Sequence, residues 1–229
     1  MPFNVSVFKT RTLTAIVFVV IMLAGLFWNA WSYIGLLLII HFGCWYEYIK
    51  LIKKIVSHNT ILFAIITGLF YITLPTLVMI NMAKVSVANV EGNQVFLFDN
   101  IIPCTIIFSI WINDTMAYIV GSLIGKTPFS SISPKKTWEG TIGGALLCVV
   151  AISLIAYFSK LLALKDAIII SAICAVFGTL GDLLESKIKR MADVKDSGSF
   201  MPGHGGFLDR FDSLLIAASV VWIYMESLM

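Results

Sequence analysis

Seven times along its 229 residues the chain runs for about 20 residues through side chains that water rejects, the length an α-helix needs to cross the hydrocarbon of a bilayer. These stretches lie near 12–28, 30–49, 60–82, 101–124, 140–159, 167–184 and 212–228. Inside lipid every backbone N–H and C=O must find its partner within the protein, so segments of this pattern resolve as helices. With 59% hydrophobic and 13% charged residues and a mean hydropathy of +0.94, the composition excludes an ordinary soluble domain. The expected fold is an all-α integral membrane protein, a bundle of about seven transmembrane helices with a polar cavity open to the cytosol. The loops are too short to hold a separate soluble domain. Residues 1–229 therefore read as one polytopic domain, in which 1–100 supply N-terminal helices and 101–229 carry the chemistry. The second span follows the first at once, with no small-residue cleavage site between them, which predicts a retained hairpin rather than a removed leader.

The cations orient this bundle. Placing the N-terminus in the cytoplasm puts every Lys and Arg except Lys84, Lys160 and Lys165 on that side, as the positive-inside rule requires. The two polar loops, 126–139 and 185–211, are then cytosolic, and so is any charged substrate. In the absence of a eukaryotic targeting peptide, the expected location is a bacterial inner membrane. Cys44, Cys104, Cys148 and Cys174 lie inside or at the edge of spans without the close pairing of a zinc or redox site, and read as packing residues.

Polar groups mark where the bundle works. Asp114 lies well inside the fourth span, where a carboxylate must face protein, water or a cation; Tyr118, at i+4, is placed to hold it. Gly121 and Gly125 enclose three residues rather than the four of a phosphate-binding P-loop, and a helix precedes them, so they read as a close helix contact. Lys135 and Lys136 stand just before the start of the fifth span, where free N–H groups and the helix dipole favour an anion. Ser133 and Thr137 add hydroxyls, and Glu139 a carboxylate suited to capping the helix or holding a ribose or metal. At the end of the sixth span, Asp182, Glu185, Ser186 and Lys189 share one helical face. The following segment, 186–212, collects five cations, four aspartates, a histidine and five Gly or Pro residues in an otherwise greasy chain, a mixture suited to polyphosphate and divalent metal. Its glycines allow backbone amides to close around an anion, and that closure would bring Asp182 and Asp209 together. Two carboxylates plus substrate phosphates are the usual way to hold Mg²⁺. His204 reads equally as a phosphate contact, a general acid or a turn residue.

Ser186-x-x-Lys189-Arg190, Lys195-Asp196-x-Gly198, Pro202-x-His204-Gly205-Gly206 and Asp209-Arg210-x-Asp212, in that order and spacing, closely resemble the signature of the phosphatidate cytidylyltransferases, also called CDP-diacylglycerol synthases. Asn113-Asp114-Thr115-x-Ala117-Tyr118 and the run from Ser133 to Gly140 resemble further segments of that family. The likeness covers roughly 110–213. The first hundred residues share only hydropathy with it, and the chain looks shorter on that side than many relatives.

The resemblance implies transfer of CMP from CTP to phosphatidic acid, giving CDP-diacylglycerol and pyrophosphate, with a divalent metal, Mg²⁺, as cofactor. It implies Asp182 and Asp209 as metal ligands, with Asp114 and Asp196 as further candidates. Lys135, Lys136, Lys189, Arg190, Lys195 and Arg210 would neutralise phosphates. Ser133, Thr137, Glu139, Gly205 and Gly206 would position the nucleotide, with His204 at the reaction centre. Membrane lipid and CTP are the expected partners, a homodimer is a family expectation, and no nucleic acid is expected. Another CTP-dependent membrane lipid enzyme, a polyprenol kinase or an archaeal-lipid cytidylyltransferase, is the neighbouring reading. An ion-coupled transporter using Asp114 and Asp182 is the reading from another class. Against the transporter, the polar groups gather on one side and no matching pair of broken helices recurs in two halves.

Overall fold

The computed structural model describes residues 5–55, 60–90, 93–200 and 205–229, with side chains from 12 onward except 84–97. His204, Gly203 and Pro202 lie outside the described residues, as do the side chains of Lys9, Arg11 and Lys84. The described chain forms α1 (Val5–Phe27), α2 (Ala30–Ile55), α3 (Ile61–Gly68), α4 (Leu74–Met82), β1 (Lys84–Val90), β2 (Asn93–Asp99), α5 (Ile101–Ile124), α6 (Trp138–Ser159), α7 (Leu164–Met191) and α8 (Leu208–Leu228). α3 and α4 join through a π-turn, Leu69–Thr73, into one rod, Ile61–Met82, so the chain presents seven helical rods. Among the described residues six of them are long and apolar enough to cross a membrane, and the apolar part of α1 is the shorter Thr12–Phe27. All seven predicted segments are helical, six of them among the described residues long and apolar enough to span, and the all-α membrane bundle stands.

Local chemistry sets several joints. α1 turns into α2 through Asn29, whose Oδ1 accepts the Ser32 N–H at 2.8 Å while the Asn29 N–H donates to Ser32 Oγ at 3.0 Å, a reciprocal cap of the kind that starts helices. The π-turn precedes Pro75, which has no N–H and whose ring would clash with the carbonyl four residues back. Widening to a bond from the Leu74 N–H to the Leu69 carbonyl lets the rod continue through the proline. The antiparallel hairpin β1–β2, with Lys84 opposite Asp99, was not expected from the sequence, which reads there as a connection between spans. The alternation of Val85 and Val87 with Ser86 and Ala88, and the short apolar run Val95–Phe98 beyond Gly92, carried that signal. α7 runs seven residues past the end of the apolar span at 184, so residues 185–190 are helical, as the spacing of Asp182, Glu185, Ser186 and Lys189 predicts.

The packing of α5 on α6, α6 on α7 and α7 on α8 builds the half of the bundle that holds the polar residues. Between α5 and α6 the backbones nearly touch: a Cβ added at Gly144 would lie 2.7 Å from Ala117 Cβ, and one at Gly140 would lie 2.9 Å from Gly121 Cα. Lipid provides no hydrophobic drive between helices, so such small-residue contacts carry the association. All four cysteines are free and buried, in keeping with a packing role. The main apolar core lies between α2, α4 and α8, around Tyr33, Leu37, Ile72, Met79 and Val221. We expect Gly144→Val to overpack the α5–α6 contact and lower stability by about 1–3 kcal/mol. A thermal melt in detergent indistinguishable from wild type would remove Gly144 from that contact.

Candidate functional site

The loop 125–137 leaves α5, folds back on itself and delivers two lysines to the start of α6. Phe129 N donates to the Lys136 carbonyl at 2.8 Å, and Trp138 N to the Thr127 carbonyl at 3.0 Å, while Lys136 N closes a turn on the Ser133 carbonyl at 3.1 Å. Thr137 caps α6, its Oγ1 accepting the Gly140 N–H at 3.1 Å. Glu139 braces the other side of the loop, accepting from the Thr127 hydroxyl at 2.8 Å and from the Lys126 and Thr127 N–H groups at 3.1–3.2 Å. Its carboxylate is thus occupied by the loop itself.

α7 presents the predicted stripe. Asp182 accepts from the Ser186 hydroxyl at 3.3 Å and forms an ion pair with Lys136. Glu185 is completely buried, with Oε2 2.5 Å from Lys189 Nζ, and its Oε1 has no hydrogen-bond partner among the described residues. Lys189 also reaches Asp209 Oδ1 of α8 at 2.6 Å, so one ammonium bridges two carboxylates from different helices. The second oxygen of Asp209 accepts from the Gly206 N–H at 2.7 Å, the Ser197 N–H at 2.9 Å and the Ser197 hydroxyl at 3.0 Å. The glycine loop was expected to wrap an anion, and the anion that it wraps in the structure is the protein's own Asp209. Gly205 sits at a φ of +86°, a conformation open to glycine, and a Cβ there would lie 2.6 Å from Asp209 Oδ2.

These elements enclose a cavity of about 660 Å³. Its walls include Asp114, Ser133, Lys135, Lys136, Thr137, Asp182, Lys189, Asp209, Arg210 and Asp212, together with the apolar Phe18, Ile110 and Trp111. Asp182 and Asp209, expected as a pair from the ends of the signature, share this cavity. Glu139, Arg190, Lys195, Asp196, Gly205 and Gly206 do not line it. Arg190 donates to the Val194 carbonyl at 2.9 Å and finishes α7, and Lys195 and Asp196 are exposed. Tyr118 makes no hydrogen bond to Asp114 and is 77% exposed at the cavity edge. The residue closest to that carboxylate is Asn113, at 3.5 Å.

Asp212 is a residue that the sequence reading left out of its metal candidates. It is buried, and together with Asp182 and Glu185 it places ligand atoms within 4.8 Å of one another. The i, i+3 spacing of Asp209 and Asp212 on one helix, with the first facing Lys189, was the available signal. Glu47 of α2 was also passed over: its Oε2 accepts from the Ser197 hydroxyl at 2.7 Å and the Leu208 N–H at 2.9 Å, tying α2 to the signature loop.

The cavity therefore has cationic and acidic walls and an apolar flank, and it lies among helices long and apolar enough to cross a membrane. Residues 96–228 match the Cytidylyltransferase family, and the chain belongs to it. It is 42% identical over 118 residues to the phosphatidate cytidylyltransferase of Bacillus subtilis (strain 168), covering 51% of this chain and 44% of that protein. It is 41% identical over 120 residues to the phosphatidate cytidylyltransferase of Aquifex aeolicus (strain VF5), covering 52% and 45%. To phosphatidate cytidylyltransferase 4, chloroplastic, of Arabidopsis thaliana it is 44% identical over 115 residues, covering 50% and 29%. The matched stretches thus span less than half the length of each of these relatives, and the family match, 96–228, contains every residue of the cavity described above except Phe18 of α1.

Lys189→Met would leave two buried carboxylates without their cation, which costs about 3–5 kcal/mol when one partner of a buried pair is removed. Adding Glu185→Gln should restore part of that loss. A double variant no more stable than Lys189→Met in a detergent melt would show that the Glu185–Lys189 contact does not carry the burial.

Proposed function

We propose that the protein transfers CMP from CTP to phosphatidic acid, giving CDP-diacylglycerol and pyrophosphate. The observation that carries the reading is the cavity itself, with Lys135, Lys136, Lys189 and Arg210 beside four carboxylates in a wall otherwise made of membrane helices. Membership of the Cytidylyltransferase family and the names of the relatives support the same chemistry.

In this reaction a phosphate oxygen of the lipid attacks the α-phosphorus of CTP, a new P–O–P bond forms, and the bond to the β-phosphate breaks as pyrophosphate leaves. A phosphate monoester is already largely ionised near neutral pH, so no strong base is required. The barrier is repulsion between two anions and the need for an in-line approach, and catalysis reduces to positioning and charge compensation. Lys135 and Lys136 occupy the positive end of α6 and suit the triphosphate; Lys189 and Arg210, from α7 and α8, suit the acceptor phosphate and the developing charge. Ser133 and Thr137 offer hydroxyls beside the lysines. The apolar flank of Phe18, Ile110 and Trp111 suits the glycerol end of a lipid whose tails stay in the bilayer.

A divalent cation fits this wall. The ligand atoms of Asp182, Glu185 and Asp212 lie within 4.8 Å of one another, and Glu185 Oε1 is buried without a hydrogen-bond partner among the described residues. Asp182 would be its principal holder with Asp212 and Glu185 beside it. Asp209, which also lines the cavity, would join them by giving up its bond to Lys189. Bound there, Mg²⁺ supplies charge neutralisation to the triphosphate and the departing pyrophosphate. The charge distribution supports a cytosolic N-terminus and cavity in a bacterial inner membrane.

Purified protein in detergent with Mg²⁺, labelled CTP and phosphatidic acid should release pyrophosphate and lipid-linked CMP in equal amounts. No lipid-linked cytidine under any divalent metal tried would reject the reading. Asp209→Asn should lower turnover by on the order of 100-fold or more while the bundle stays folded on gel filtration. Asp182→Asn should in addition weaken Mn²⁺ binding, measured by electron paramagnetic resonance without substrate. Unchanged Mn²⁺ affinity would take Asp182 out of the metal site.

A further inference from the structure

Behind the cavity, and outside its lining, Glu47 is held 3% exposed at the end of α2 that meets the signature loop. It lies 150 residues before Ser197 and 161 before Leu208, the two groups that donate to its Oε2. Leu208 opens α8, and the residue before it, Phe207, provides no side-chain cap. The first N–H groups of a helix have no partner within it, so Glu47 caps α8 from another helix, with a carboxylate at the positive end of the dipole.

The loop is shaped around this side chain. A Cβ at Gly198 would lie 2.1 Å from Glu47 Oε1, and one at Gly206 would lie 2.2 Å from Oε2. Both glycines are required by that close approach. One turn earlier on α2, a Cβ at Gly43 would lie 2.5 Å from the Phe207 ring, so the Gly43–Glu47 face of α2 is a socket for the loop on either side of α8's first turn. The Ser197 hydroxyl that donates to Glu47 also lies 3.0 Å from Asp209 Oδ2, and Asp209 Oδ1 is 2.6 Å from Lys189 Nζ. Four residues therefore run in contact from α2 to the cavity wall: Glu47, Ser197, Asp209 and Lys189.

We propose that Glu47 is a positioning residue for the transfer reaction: from outside the cavity it seats Ser197, Gly198, Gly206 and Leu208 and, through Ser197 and Asp209, sets where Lys189 stands. The proposal rests on the transferase reading for its kinetic consequence, while its structural consequence is independent of that reading. Truncating Glu47 strips a buried N–H and a buried hydroxyl of their acceptor and releases a glycine-rich loop to alternative conformations. A glutamine keeps one oxygen able to accept both bonds.

The test compares Glu47→Ala, Glu47→Gln, Ser197→Ala and the Glu47→Ala/Ser197→Ala pair. Glu47→Ala should lower kcat by about tenfold or more with KM for CTP within about twofold, because it displaces Lys189 and leaves the Lys135–Lys136 contacts to the triphosphate in place. Glu47→Gln should recover most of that loss. Adding Ser197→Ala to Glu47→Ala should cost less than about twofold more, since both act through one chain of contacts. Amide hydrogen exchange should rise at Ser197 and Leu208 in Glu47→Ala and stay at the wild-type level in α5 and α6. An unchanged kcat, independent multiplication of the two single effects, or exchange raised evenly across the bundle would each overturn the proposal. If the wild-type protein makes no lipid-linked cytidine, the proposed reaction fails by itself, and the exchange profile of Glu47→Ala still decides whether Glu47 holds the loop.

Discussion

A carboxylate carried into a bilayer has to be answered by a cation or by N–H and O–H donors, and the architecture of this protein follows from how four of them are answered. Lys189 stands between Glu185 and Asp209 at 2.5 and 2.6 Å, and Lys136 pairs with Asp182. Asp209 and Glu47 take the remaining donors of the signature loop. Removing one member leaves a buried charge whose cost is several kcal/mol, whereas the intact set adds little net stability over an apolar core. What the set contributes is a set of fixed contacts that join α2, α7 and α8 through Glu47, Ser197, Asp209 and Lys189.

That arrangement explains which parts of the molecule the sequence makes legible. The spans were readable because lipid forces about 20 apolar residues into a helix whatever their order. The stripe of Asp182, Glu185, Ser186 and Lys189 was readable because helical spacing sorts faces. The shared cavity of Asp182 and Asp209 followed from the signature that joins them. Contacts between elements far apart in sequence were not readable. Glu47 looks like a stray charge at the end of an apolar span until Ser197 and Leu208, 150 and 161 residues away, are seen on it. Asp212 looks like the start of an apolar helix until α7 is packed against it.

Two local expectations failed for a related reason. Tyr118 has the i+4 spacing to hold Asp114, but spacing fixes only the face of a helix, and on this face the phenol is left exposed. Glu139 has the type and place of a ligand holder, yet the Lys126–Thr127 amides, brought close by the fold-back of 125–137, claim its carboxylate. In both cases a tertiary partner, or its absence, decided what a helical position meant. The β1–β2 hairpin was missed because seven-residue runs of mixed polarity between two strong spans read as connection when the spans dominate the pattern.

The pairing of cations with carboxylates also sets a condition on any phosphate that enters the cavity. Lys136 and Lys189 are neutralised by Asp182 and by Glu185 and Asp209, so an anion that takes either ammonium uncovers at least one carboxylate in a poorly solvated wall. An anion arriving alone therefore meets repulsion from the group it displaces, and a metal ion arriving alone meets the lysines. Entering together, each satisfies what the other exposes: the phosphate takes the ammonium and the cation takes the freed carboxylate. On the proposed transferase reading the site would suit a metal–polyphosphate pair as a single ligand, and the placement of Asp182 against Lys136, rather than the number of charges, would impose the coupling.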